Sequence, residues 1–563
     1  MTRPRILLYA ERNLHLPFLE PVFDHFVANN EAEVAFSAPV HIPVTDDHVG
    51  IGLPDETIDR LRQKGEFYSD PSTFEPDIIV VADCCFYRLY DGPKFVNLGH
   101  GMICKGTFYN TSKIVRRENL ADLICTPGAW HKKRLQQNVF SPIVATGFIK
   151  SDQVYGKSAP TREEFLAGHG IDAHKKVILL APTYNEELSA LPCIAERLGE
   201  LAQDNNHLLI KLHGMTSPRW RNVCAVLAQA NSNVTLLGDE GYAGAFVSAD
   251  MLISDVSSIY VEFMGQDKPI VLYNNPKRYG FSAFRDDDIE YLVRDACEEA
   301  SSMDELKEVV ARGVVGDDPC RGKRKEYAEL LDYGRDGRAT ERACHAILEL
   351  HKGTIRHTVA AEQKLLVYVP ESLSGREIKQ GLDEIRLKTA GRWEIIACGP
   401  SMRTIGGEGK KVRCVHMKEI TPRGLARILG NRPSGPVGFV VCGCGTLPWS
   451  WNRMMVNHFL WNKNTAVVSA ICTPQSADPV LEVCCPEMQD SSPRNKANFF
   501  KFITVGESII LDTLLSTCFL FDSSLLQDAP DMPQGWHGLC DYLTVQAQSK
   551  GKTCRMACDT YVY

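Results

Sequence analysis

The sequence predicts an α/β protein: two doubly wound, Rossmann-like lobes in tandem, followed by a third α/β domain. Three observations lead there. Short apolar strands alternate with amphipathic helices, a rhythm that produces parallel sheets. The rhythm restarts after the polar stretch Lys150 to Glu164, and again after the linker-like stretch Lys352 to Glu362. At 563 residues the chain is too long for one core. The expected domains are 1–152, 153–352 and 363–563.

In the first part, strands are expected at Ile6–Ala10, Val34–Phe36, Ile78–Ala82, Phe95–Leu98 and Ile143–Thr146, with a helix around Phe18–Val27. The second part continues with Val177–Ala181, His207–Lys211, Val234–Leu237, Met251–Ile253 and Pro269–Tyr273, closed by helices over Met303–Arg312 and Arg338–His351. The third opens with Leu365–Val369, a charged amphipathic helix over Gly375–Lys388 and the strand Trp393–Ala397. Val437–Val441, a helix Trp451–Trp461, Ala466–Ile471 and an apolar run Ile509–Phe521 follow. Separate folding of this part is expected.

Composition narrows the function. Hydrophobic residues make up 44% and charged residues 23%, as in ordinary globular proteins. A net charge of −8 gives no global drive toward nucleic acid. Twenty cysteines are scattered without zinc-site spacing, so reduced thiols are expected and a structural metal is not. The N-terminus carries no signal-peptide core and no later segment approaches a spanning apolar length, so the expected location is cytoplasmic, at most on the inner face of a membrane.

The most informative stretch is Met251-Leu-Ile-Ser-Asp-Val-Ser-Ser-Ile259, which reads as strand, polar turn and helix start. Asp255 is an N-cap candidate, and Ser257 and Ser258 offer hydroxyls where backbone amides and the helix dipole favour an anion. Most capped helices bind nothing, and this segment alone does not decide otherwise. Four further loops fall just after expected strands, where open α/β sheets bind ligands. They are Asn97-Leu-Gly99-His100-Gly101 running to Lys105, Thr146-Gly147 to Asp152, Ala181-Pro182-Thr183-Tyr184, and Lys211-Leu-His213-Gly214.

Taken in order, these five segments resemble the CDP-glycerol glycerophosphotransferase family, which builds poly(glycerol phosphate) chains of teichoic-acid type. That family shows a His-Gly loop, a Gly-Tyr-Pro-Arg-Asn-Asp-like segment, an Ala-Pro-Thr-Trp-like segment, a Lys-Leu-His-Pro segment and a Thr-Asp-Tyr-Ser-Ser segment. Departures are Met102 after His-Gly, Gly214 for Pro, and Phe148-Ile149-Lys150 for the Tyr-Pro-Arg core. The resemblance implies a GT-B architecture with the site between facing lobes. It implies His100 as general base and His213 as a donor-pyrophosphate contact, with Lys211, Ser254, Asp255, Ser257 and Ser258 around the phosphates. Gly99, Gly101, Lys105, Gly147, Asp152, Pro182 and Thr183 are further cleft candidates.

The chemistry so implied is attack of an acceptor hydroxyl on the donor's β-phosphorus with release of CMP. No cofactor is required and magnesium is an optional aid. The partners are CDP-glycerol or another nucleotide-activated donor, a glycan or lipid-linked polymer acceptor and a membrane surface, with no nucleic acid. Two competing readings are a GT-B sugar transferase using a UDP-sugar, and a non-catalytic carbohydrate-binding scaffold. Intact His100, His213, Ser257 and Ser258 weigh against the scaffold.

The third domain is similar to an inverting GT-A glycosyltransferase of the family-two type, with its acids missing. Cys398 and Gly399 stand where active members carry aspartate, and Cys442-Gly-Cys444-Gly stands at the metal-binding loop. Such ligands do not suit magnesium or manganese. Asp541 is a candidate leftover base. The domain is therefore expected to be degenerate. The basic run His131-Lys-Lys-Arg134 reads as a solvated helix face, and Trp449, Trp451 and Trp461 as core more than sugar platforms.

Overall fold

Seven parallel strands form the first sheet of the computed structural model: β1 (Arg5–Tyr9), β2 (Glu33–Ser37), β3 (Phe67–Tyr68), β4 (Ile78–Val81), β5 (Lys94–Asn97), β6 (Leu123–Thr126) and β7 (Ile143–Ala145). Their spatial order is β3-β2-β1-β4-β5-β6-β7. The structure describes all residues except 1–2, 42–50, 84–91, 103–112, 204, 239–240, 279–287, 356–362, 390–392, 404–411, 431–435, 444, 446, 449, 473–505, 515, 528, 530–534 and 563. Uninterrupted apolar runs such as Ile78–Val81, buried throughout, are what a sheet covered on both faces demands.

The second sheet is also all parallel. It contains β8 (Lys176–Leu180), β9 (Asn206–Ile210), β10 (Val234–Leu236), β11 (Met251–Ser254), β12 (Ile270–Tyr273) and β13 (Glu298–Ala300), in the order β10-β9-β8-β11-β12-β13. In both sheets the chain lays strands outward on one side, then returns to build the other. The reversal falls between β1 and β4 in the first sheet and between β8 and β11 in the second. A crevice opens at the carboxyl ends of strands at such a switch point.

The lobes are joined twice. The first crossing runs through Gly147, whose φ of +95° places it where a side chain is strained; a Cβ there would lie 2.6 Å from the Tyr333 carbonyl oxygen. The second returns through the helix Ala339–Lys352, which packs on the first-lobe helix Leu16–Asn29. Asp152 caps that returning helix, accepting the N–H groups of Ala339 (2.9 Å) and Thr340 (2.7 Å). Gly147 and Asp152, expected in the cleft, are therefore parts of the crossing: one is pressed against backbone and the other is consumed by a helix start.

A third, mixed sheet contains β14 (Gln363–Tyr368), β15 (Trp393–Gly399), β16 (Val412–His416), β17 (Val437–Val441), β18 (Thr465–Cys472), β19 (Ser508–Leu511), β20 (Cys518–Phe521) and β21 (Thr553–Val562). The order is β16-β15-β14-β17-β20-β18-β21-β19, with β20 antiparallel to both neighbours. The α/β class read from the sequence holds throughout. The expected continuous run Ile509–Phe521 instead forms two strands, β19 and β20, and the short strands β3, β6 and β13 were not foreseen.

The third domain has its own sheet, yet it is docked on the first lobe. The helix Trp451–Trp461 supplies the contact: Arg453 pairs with Asp122 and donates to the Leu120 carbonyl at 3.0 Å, while Trp461 donates to the Asn138 carbonyl at 3.0 Å. Met454 lies in the first lobe's own apolar cluster. From the other side Arg116 donates to the Gly506 carbonyl at 2.7 Å and stacks on the Trp461 ring. Trp451 is core, as expected, whereas Trp461 is an interface residue and Trp449 lies outside the described residues. His131 is fully buried, so the basic run is not one solvated face.

Candidate active site

The first lobe's site is assembled at its switch point. After β1 the chain passes Glu11 and Arg12 into a single 3-10 turn, Asn13–His15, and His15 is 1% exposed. The Glu11 N–H donates to His15 Nδ1 at 3.4 Å. Burial, then the charges of His100 and Arg12, push the His15 imidazole well below its ordinary range, so the ring is neutral.

His100 follows β5 on a turn shaped by its neighbours. Gly99 (φ +68°) and Gly101 (φ +141°) take up backbone conformations that side chains resist. The Asn97 carboxamide accepts the Gly99 N–H at 2.9 Å and donates to Glu118 at 2.9 Å. Held in this way, the half-buried His100 ring lies 5.4 Å from the His15 ring. Its Nδ1 stands 3.1 Å from the Ala82 carbonyl oxygen and 3.5 Å from Asp83 Oδ2, both just past the end of β4. A carbonyl only accepts, so Nδ1 carries the proton of the neutral ring and Nε2 holds the lone pair.

In the second lobe Asp255, not a serine, organises the loops. It is fully buried, and its carboxylate accepts N–H groups from Thr183 (2.9 Å), Ala190 (2.9 Å) and Ser257 (3.0 Å). Burial raises its carboxyl to about 6 against the pull of these bonds. Ser254 is likewise buried, its hydroxyl donating to the Ala181 carbonyl at 2.7 Å. The expected direct phosphate contacts by Ser254 and Asp255 are thus corrected: both side chains are turned inward and spent on the loop after β8. Asp255 is not an N-cap either, since Ser258 occupies that position before the one-turn helix Ile259–Phe263. Ser257 and Ser258 remain half-buried at the loop surface. Pro182 is buried, and Thr183 acts through its backbone N–H.

His213 is exposed after β9, beside Lys211, with its ring 4.9 Å from that of Tyr184. Arg221 clamps the turn from below by donating to the carbonyls of His213 (2.8 Å) and Gly214 (3.0 Å). The Met215 N–H donates to His213 Nδ1 at 3.1 Å. That nitrogen is therefore unprotonated, and the proton sits on Nε2. The two expected histidines thus have opposite tautomers. Lys105 lies outside the described residues.

Sequence reasoning missed His15, Asp83 and Arg221, and it found the loop of Asn97 but not that residue's role. Asp83 and Asn97 stand at strand ends, which is where a signal lay, whereas His15 meets His100 only through the fold. His15, Asp83 and His100 place one ligating atom each within 4.8 Å of one another. Two imidazoles and one carboxylate do not form the oxygen set that magnesium takes. On the flanks, two cavities share Gln153: one is lined by Asn13, Leu16 and Glu20 of the first lobe, the other by Ser158, Phe165 and Gly241 of the second.

Residues 95–349 match the profile of the CDP-Glycerol:Poly(glycerophosphate) glycerophosphotransferase family. Over this segment the chain is similar to that family. The resemblance read from the loop motifs is borne out, and all five motifs fall within the match. The teichoic acid glycerol-phosphate primase of Bacillus spizizenii is 29% identical over 122 residues, 21% of this chain and 30% of the relative, so the chain spans under a third of that protein. Among solved structures, the wall teichoic acid polymerase TagF is similar at 13% identity over 62% of this chain and 90% of its own, with a TM-score of 0.46. A UDP-N-acetylglucosamine 2-epimerase from Listeria monocytogenes is similar at 13% identity over 62% and 98%, with a TM-score of 0.43.

Proposed function

We propose that the chain transfers a glycerol-phosphate unit from CDP-glycerol to a hydroxyl of a surface-polymer precursor, releasing CMP. The observation that carries this reading is the pair of opposite tautomers. His100 offers an Nε2 lone pair, which a general base needs, and His213 offers an Nε2–H, which an anionic phosphate needs. The family match supplies the reaction class.

In this reading His100 takes the acceptor's hydroxyl proton as its oxygen attacks the β-phosphorus. The new P–O bond forms as the bond to the bridging oxygen breaks, and CMP leaves with the electron pair. His213, Ser257 and Ser258 donate to the phosphate oxygens, and Lys211 adds positive charge. Nothing in this sequence of steps requires a cofactor; magnesium would add counter-charge only. The third domain is non-catalytic: Cys398 and Cys442 are buried, and Asp541 faces outward on the helix Gly535–Ser549. It serves in acceptor binding or assembly. Among the described residues no helix is long and apolar enough to cross a membrane. We place the enzyme in the cytoplasm, meeting a lipid-linked acceptor at the inner membrane face.

The test is CMP release from CDP-glycerol in the presence of a glycerol-phosphate-primed acceptor, with UDP-sugars as the control donors. Release of CMP that disappears in His100→Ala and in His213→Ala supports the reading. Release of UDP from a UDP-sugar instead overturns it.

A further inference from the structure

We propose that Asp83, acting with the Ala82 carbonyl, is a positioning residue that holds His100 in its Nδ1–H form and compensates the charge it gains on taking the acceptor proton. This inference rests on the proposed role of His100. Asp83 belongs to none of the motifs that carry the family resemblance; it enters from β4, the strand beside the one that delivers His100.

The geometry supports three steps. First, Nδ1 of His100 faces two acceptors, the Ala82 carbonyl at 3.1 Å and Asp83 Oδ2 at 3.5 Å, so one N–H is shared between a hydrogen bond and a nearby negative charge. Both acceptors approach the same nitrogen, and both disfavour the other tautomer. Second, the Asp83 side chain is only 15% exposed and that of His100 21%, so solvent screens the interaction between them weakly. Third, the ring beside His100 supplies no negative charge. The His15 ring, 5.4 Å away, is neutral and desolvated, and Arg12 precedes it on the same loop. Asp83 Oδ2 is the carboxylate oxygen that reaches His100 Nδ1, and the buried Glu11 belongs to the loop that carries His15. Removing the carboxylate leaves the base in place but strips the support from its protonated form, which exists only after proton transfer. The penalty then falls on turnover and spares donor binding.

The experiment compares Asp83→Asn, Asp83→Glu and His100→Ala in the full-length chain, reading kcat, KM for CDP-glycerol, the pH–rate profile and the His100 imidazole 15N shifts in wild type. In wild type at pH 8 the shifts are expected to show a protonated Nδ1 and an unprotonated Nε2. Asp83→Asn is expected to lower kcat about 10- to 100-fold with KM changed less than about twofold, and to move the acid limb of the profile to lower pH. Asp83→Glu, which keeps the charge, is expected to restore most of the loss. Wild-type kcat and profile in Asp83→Asn, with His100→Ala inactive, would overturn the positioning role and leave the proposed function standing. An active His100→Ala would instead remove the base assignment itself. Nitrogen shifts showing the Nε2–H tautomer would overturn the proposal even if Asp83→Asn failed to fold.

Discussion

Arg453 of the third domain and Asp122 of the first lobe form an ion pair across the boundary between two sheets, with the arginine side chain only 8% exposed. Asp122 also accepts the Phe95 N–H at 2.8 Å, at the strand that delivers His100. The third domain is thereby tied to the lobe that holds His100.

Breaking this pair leaves a largely desolvated partner behind. Arg453→Ala is expected to destabilise the docked third domain by about 2–3 kcal/mol, less than a fully buried pair because Asp122 keeps its bond to Phe95. Urea denaturation should show an earlier, separate transition for the third domain. A single unshifted transition would count against the docking.

Asp332 accepts the Phe148 N–H at 2.9 Å within the crossing between the lobes, and burial raises its carboxyl to about 7. The native state therefore keeps a proton that the unfolded chain has released above its ordinary carboxylate range. Stability falls as pH rises from about 4 to 7, then levels off. Asp332→Asn should remove this slope and be more stable than wild type at pH 8 by about 1–3 kcal/mol, with little difference at pH 4. Thermal melts of both proteins across that range check it. Asp255 contributes a slope of the same sign, which cancels in the comparison.

Asp255 satisfies backbone N–H groups from three points on two loops. Asp255→Ala should cost about 2–4 kcal/mol by leaving those donors unpaired in a dry interior. The loop carrying Thr183 and Tyr184 should loosen with it, seen as faster amide exchange over 183–190 and a raised KM for the donor. Unchanged exchange there would show that the loop is held by other contacts.

Gly147 is required at the first crossing on steric grounds. Gly147→Ala combines a strained positive φ with a close approach to the Tyr333 carbonyl, and is expected to cost at least about 2 kcal/mol. Denaturant unfolding reads that cost, and a neutral result would mean the crossing can shift.

Much of the frame was legible from the chain. Gly375–Lys388 and Val437–Val441 coincide with the structure because amphipathic period and buried apolar runs are local signals. The loops bearing His100, His213 and Ser257-Ser258 were also found, since each follows a strong strand. Asp255 was misassigned: an acid before a helix reads as a cap, but its partners are 65 and 72 residues away. Gly147 and Asp152 were placed in the cleft for a similar reason, because Tyr333 and Ala339 meet them only after the chain returns.

The α/β class, the sheet-edge loops and the residue types they carry are legible along the chain, because periodicity and strand ends are written within a few residues. Tertiary structure alone decided which hydroxyls and acids face inward, which tautomer each histidine takes, and that the third domain is fastened to the first lobe. Those outcomes depend on partners brought together by crossovers and packing, and a carbonyl three ångströms from a ring nitrogen leaves no mark in the order of residues.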